Sequence, residues 1–244
     1  MVQTPELVEA IENVYRVFEA YRLSADTQPC PCCHSSEDDQ RLRSKLLRKL
    51  GPKDLYSYAT DALYTWGDER DFKHFMPRIF ELLIQDSAEF VDPQSVFSKL
   101  LYVSPSSSSW RSWPIQEQTA ISHYSRAVWD AVLASDPDDL SNGVYDWLCT
   151  FAQAEGDLSH YLDRWLKASS VNAHRNLARM IVRDGVPNST HPGRGYWSQR
   201  KEQWQQLVDW LRRVDVKDKL TSAIDKWSDS PFGNELFDAA VLLP

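Results

Sequence analysis

The stretch PCPCCH at positions 29–34 crowds three cysteines and a histidine into six residues. Thiolates and imidazoles are the ligands that Zn²⁺ prefers. Side chains of adjacent residues point in different directions, however, and structural zinc sites usually take paired ligands from two places in a chain. Cys149 is the one thiol outside this loop. For Cys30, Cys32, Cys33 and His34 three readings stand: a zinc site, a redox-active thiol group, or free thiols in a connector stiffened by proline. The expectation is the last, with reduced thiols, no shared four-ligand site and no cofactor.

A second constellation is repeated. Asp71, His74 and Arg78 fall at spacings of three and four, and Asp157, His160 and Arg164 repeat those spacings. An acid and a histidine at i, i+3 share one helix face, and helical bundles build metal sites from such pairs. Those bundles use Glu in that motif and add a Glu from each of two further helices, which this chain does not offer. Asp71 and Asp157 both follow a turn, so the structural expectation is that each is the N-cap of its helix, with the histidine in the first turn.

A third lies in Arg175, Arg179 and Arg183, which recur every four residues and form a ridge on one helix. From 164 to 201 eight basic residues face the single acid Asp184, in a chain whose net charge is −8. Such a ridge suits an anionic ligand or nucleic acid. A solvated face, or pairing with the acidic remainder, is the competing expectation, and most of the surface repels phosphate. The motifs of P-loops, dinucleotide folds, nucleophile elbows and zincins are absent from the sequence.

These residues need helices to position them. Hydrophobic residues make up 42% of the 244 and charged residues 25%, as in an ordinary globular protein. Leu7, Ile11, Val14, Phe18 and Tyr21 share a face behind Thr4 and Pro5, and further helical stripes run through 36–50, 115–135, Leu140/Val144/Trp147/Phe151, Leu177/Ile181, Trp204/Leu207/Leu211 and Leu220/Ile224/Trp227. No period-2 run is evident, so the fold class is all-α with about eleven helices. No apolar run reaches the ~20 residues of a membrane span. Glu6, Glu9 and Glu12 near the start do not fit a signal peptide, which points to a cytoplasmic protein. The 10 Trp supply large buried anchors, and any left exposed would mark a contact surface. Two loops interrupt the helices, at 103–114 and 184–197.

The chain also repeats itself. Pro52, Asp54, Leu55, Asp61, Leu63 and Thr65 recur 85 positions on as Pro137, Asp139, Leu140, Asp146, Leu148 and Thr150, and Asp71, His74 and Arg78 recur 86 on. One helical domain over 1–244 is therefore expected, with repeats at about 52–135 and 137–215 and a partial third at 216–244. An N-terminal helix and the cysteine loop precede them. The repeats either stack as a solenoid or form a pseudo-symmetric bundle.

The segment ALYTWGDERDFKHFMPRIFELL (62–83), following a cysteine loop and an Arg-rich helix, resembles an uncharacterised family of bacterial proteins. The resemblance implies a bacterial cytoplasmic setting and transfers no activity and no catalytic residue. The functional expectation is a binding or scaffold protein that presents a surface to another protein. The alternatives are an enzyme or metal protein with a site between the repeated Asp–His–Arg faces, and anion or nucleic-acid binding by 164–201.

Overall fold

A computed structural model describes residues 1–85, 90–186 and 195–243. Among them the chain is all-α, with twelve α-helices, several 3₁₀ turns and no strand longer than an isolated bridge. It divides into two compact units, Gln3–Val128 and Trp129–Pro244, the latter with Met1–Val2.

The first unit holds α1 (Pro5–Val17), α2 (Ser36–Arg43), α3 (Pro52–Asp61), α4 (Glu69–Ile84), α5 (Pro93–Ser98) and most of α6 (Ile115–Ala134). In α1 the Thr4 hydroxyl accepts from Leu7 N at 3.1 Å, Pro5 fits the first turn, and Leu7, Ile11, Val14 and Phe18 are buried as the stripe requires, whereas Tyr21 lies past the end of the helix and is half-buried. They pack on α4, the central helix, which buries Phe72, Phe75, Met76, Ile79, Phe80 and Leu83 and is covered on nearly every side. The stripe expected over 36–50 breaks in two. Helix α2 stops at Arg43, and a short 3₁₀ turn takes up Leu47–Lys49.

The second unit holds α7 (Val144–Ala154), α8 (Ser159–Lys167), α9 (Val171–Asp184), α10 (Lys201–Leu211), α11 (Val214–Trp227) and α12 (Gly233–Leu242). Helix α9 packs against α7, α11 and α12. Trp129 sits edge-on to Phe151, Tyr161 and Trp165, and its indole donates to Tyr161 O at 2.9 Å. Of the tryptophans only Trp227 is not buried, so the other nine serve the two cores. The loop 184–197 falls largely outside the described residues.

The residues identical in the expected repeat do not occupy matching positions in the structure. Asp61 ends α3, whereas its counterpart Asp146 stands in the first turn of α7. Leu63 sits in a turn at φ 69°, while Leu148 is inside a helix. Leu55 is fully buried and Leu140 only half-buried, outside α7. What the two helix pairs share is a cap. Gly51 N donates to Asp54 Oδ2 at 2.7 Å, and Gly143 N donates to Asp146 Oδ2 at 3.1 Å. Cap chemistry decides where a helix starts, and it overrides the alignment of identical letters.

Candidate functional site

In the cysteine loop Cys33 N and His34 N both donate to Cys30 O, at 3.0 and 3.1 Å, with Pro31 in the second position of the turn. Proline fixes φ where such a turn needs it, and the chain folds back on itself within four residues. The three Sγ atoms therefore converge to within 4.8 Å of one another, with Cys30 and Cys32 at 2.8 Å and Cys32 and Cys33 at 3.5 Å. This corrects the expectation that neighbouring cysteines diverge. It is the one such group of metal-ligating side chains among the described residues. Cys32 and Cys33 are exposed and Cys30 is half-buried, so the cluster opens to solvent.

The cluster is also electrostatically uneven. The hydrogen bond shared by the Cys30 and Cys32 sulfurs holds Cys30 below its ordinary value and pushes Cys32 up to about 11. Of this pair Cys30 presents a thiolate more readily than Cys32. Cys149 differs: it is buried in α7, where burial pushes its thiol up to about 12.

His34 does not join the sulfurs. Its Nε2 lies 3.3 Å from Thr65 Oγ1 and 3.4 Å from Asp61 Oδ2, and its ring packs on Trp66 at 4.6 Å. It anchors the loop to the turn after α3, beside Cys30 N, which donates to Thr65 O at 2.9 Å. That turn contains Leu63 in the left-handed region, a conformation that costs a side chain roughly 1–2 kcal/mol. Gly67 follows at φ 72°, where a Cβ would stand 2.9 Å from Asp71 Oδ2.

Asp71 is not the N-cap of α4. Asp68 is, accepting from Asp71 N at 3.0 Å, and Asp71 completes the capping box by accepting from Asp68 N at 3.2 Å. The earlier of two acids spaced by three takes the cap, and the later one reaches back. Buried at 2% exposure, Asp71 also accepts from Ser24 N at 3.1 Å and Thr27 Oγ1 at 2.6 Å. Arg43 tightens the same segment by donating to Ser24 O and Thr27 O. His74 Nδ1 donates to Tyr21 O at 3.0 Å, and burial holds its pKa below the ordinary value. Arg78 donates to Leu50 O at 2.7 Å and to Glu81 at 2.6 Å. This face of α4 ties down the segments on either side of the cysteine loop.

The second copy of the motif has other partners. Asp157 precedes α8 by two residues and accepts from Ser159 N at 2.9 Å and Ser159 Oγ at 2.6 Å, while Leu158 holds the cap position. His160 is exposed, 3.7 Å from Glu155, and Arg164 pairs with Asp130 through both its Nε and Nη2.

On α9 Arg175 is bonded to Asp136 and to Asp138 at 2.8 Å, and Arg179 to Asp138 at 2.5 Å and Glu235 at 3.2 Å. Two guanidinium groups of the ridge are thus engaged with carboxylates of their own unit, and Arg183 is exposed. Arg194, another of the eight basic residues of 164–201, lies outside the described residues.

One polar cluster has only a faint trace in the sequence. Lys73 Nζ is buried 2.8 Å from Glu69 and 2.9 Å from Glu117, over the Trp113 ring at 4.1 Å. The i, i+4 spacing of Glu69 and Lys73 is the one local signal for it. Compared with known proteins, the chain matches no family model, no curated protein and no solved structure.

Proposed function

We propose that this chain is a metal-binding protein in which Cys30, Cys32 and Cys33 hold one thiophilic ion, Zn²⁺ first among them, on a helical scaffold. The observation that carries the reading is the convergence of the three Sγ atoms to within 4.8 Å in a loop pinned at Cys30 N and His34. Sulfur ligands select zinc and cuprous ions over hard cations, and each must lose its proton to bind. The lowered Cys30 thiol supports that reading. Three protein ligands leave one coordination position open, as in zinc sites that bind a water or an exchangeable group. A thiol or imidazole of a partner protein fits that position.

Metal content and thiol titration test the proposal together. About one ion per chain is expected after reconstitution, with a chelator exposing about two thiols or more. The Cys30→Ser, Cys32→Ser, Cys33→Ser variant should hold none. Retention of the ion by that variant, or no binding by the native chain, refutes the assignment.

A second reading, a scaffold that offers a surface to another protein, draws on α12. Phe237 and Val241, one turn apart on its outer side, are 59% and 67% exposed. The simplest partner is a second copy of the chain. Sedimentation of native and Phe237→Lys protein tests it: self-association lost in the variant supports the reading, and a monomer in both cases removes it.

A further inference from the structure

The unit Gln3–Val128 carries a cleft of about 750 Å³ between α1 with the residues that follow it, the segment Lys45–Arg48, and α4. Sites for small ligands occupy volumes of this order. Tyr15 and Tyr21 direct their hydroxyls to Glu81 and Glu117, each at 2.5 Å, and neither acid lines the cleft. The rings of the two tyrosines, with Phe18 and Pro77, therefore form an apolar floor. Leu46 stands on the rim at 80% exposure, a large apolar side chain left in water by the fold.

The rim is cationic in a chain that is acidic overall. Arg16, Arg22, Lys45 and Arg48 line it, against Glu12 and Glu19. Arg48 makes paired 2.7 Å bonds to Glu12 and lies 3.7 Å over the Tyr15 ring, and Lys45 bonds Asp54 at 2.7 Å. Arg22 donates to main-chain oxygens of Glu19 and Tyr21. Among the described residues neither Arg16 nor Arg22 has a carboxylate within ion-pair distance. Inside the cleft His74 spends its Nδ1 proton on Tyr21 O, which leaves Nε2 as an acceptor.

We propose that this cleft binds a small amphipathic anion, an acyl or aryl carboxylate whose apolar part covers the floor and Leu46 and whose head meets Arg16 and Arg22. The floor takes the part of the ligand that water rejects, and the two arginines supply the charge that a carboxylate seeks. A neutral apolar ligand uses half of this site, and a small hydrophilic anion uses the other half. The inference is independent of the cysteine cluster.

Fluorescence titration with a dansyl-labelled medium-chain fatty acid, and with the corresponding uncharged amide, tests it. Saturable one-site binding of the acid is expected at physiological salt, with the amide weaker by about tenfold. Leu46→Asp and the pair Arg16→Ala, Arg22→Ala should each weaken the acid by about tenfold or more. All three residues are exposed, so circular dichroism should show these variants folded. The triple cysteine-to-serine variant should bind the acid as the native chain does, which separates this result from the fate of the metal site. Absence of saturable binding, equal affinity for acid and amide, or indifference to both sets of substitutions overturns the proposal.

Discussion

The Thr27 hydroxyl donates a 2.6 Å hydrogen bond to the buried carboxylate of Asp71, joining the start of α4 to the connector that leads into the cysteines. Asp71 accepts on both oxygens, from Ser24 N on one and from Thr27 Oγ1 and Asp68 N on the other. Asparagine supplies one acceptor oxygen and sets an amide donor against a donor on the other side. Asp71→Asn should therefore cost nearly as much as Asp71→Ala, about 1–3 kcal/mol in urea unfolding. Asp157, exposed and bonded to one serine, should tolerate asparagine and lose about 0.5–1 kcal/mol as alanine. Equal tolerance of asparagine at the two positions would sink this account. Asp71→Ala should also speed thiol labelling of Cys30, because its anchor at Ser24 and Thr27 is gone.

Lys73 lies with a side chain 4% exposed between Glu69 and Glu117, whose own side chains are 24% and 7% exposed. Removing the one cation leaves two carboxylates facing each other in a largely dry site. Lys73→Met is expected to destabilise by about 3–5 kcal/mol. Adding Glu117→Gln should recover part of that loss, because the second charge no longer needs a partner. A double-mutant cycle in urea measures the coupling, and simple additivity of the two changes would show that Lys73 acts through packing alone.

The sequence made some of these relationships legible and hid others for physical reasons. Period-3.6 stripes placed Leu7, Ile11, Val14, Phe18, Leu177 and Ile181 in the core, since burial of an amphipathic face is a local property of a helix. The cysteines were visible as residue types, but their convergence depends on a turn closed by bonds to Cys30 O. The spacing of Asp71, His74 and Arg78 stands out in the sequence, yet the partners of Asp71, Ser24 and Thr27, lie 47 and 44 residues away, and tertiary contacts of that span leave no periodicity. The Arg175 and Arg179 spacing was plain, whereas Asp136, Asp138 and Glu235 became their partners only through the packing of α9 against α12 and the Pro137–Asp139 turn. The register of the repeat was misleading because Leu63 turns left-handed where Leu148 continues a helix.

Lys99 carries the last prediction. Its side chain is buried at 1% exposure, and its amine donates to Ser95 O at 3.2 Å and approaches Ser95 Oγ at 3.4 Å. No carboxylate lies within ion-pair distance among the described residues, and the Tyr64 ring centre is 4.9 Å away. Burial pushes the amine down to about 8 from the ordinary 10.5. Between those values the unfolded chain keeps a proton that the folded chain has released, so stability rises with pH across the window. Below about pH 8 the folded protein bears the cost of a buried charged amine, which the more distant carboxylate of Asp61 offsets only in part. Lys219, also pushed down to about 8 by burial, contributes the same slope from the second unit. Lys99→Met should stabilise the protein at pH 7 by about 1–3 kcal/mol, because a thioether of similar length needs no partner. That advantage should shrink as pH climbs from 8 toward 10.5, and above 10.5 the native amine is neutral in both states. Comparing the two proteins at each pH cancels the tyrosines and Lys219, which they share. Urea unfolding of both across that range decides the matter: a loss of stability at pH 7, or a gain that does not shrink with pH, would show that the Lys99 amine is stabilised where it sits.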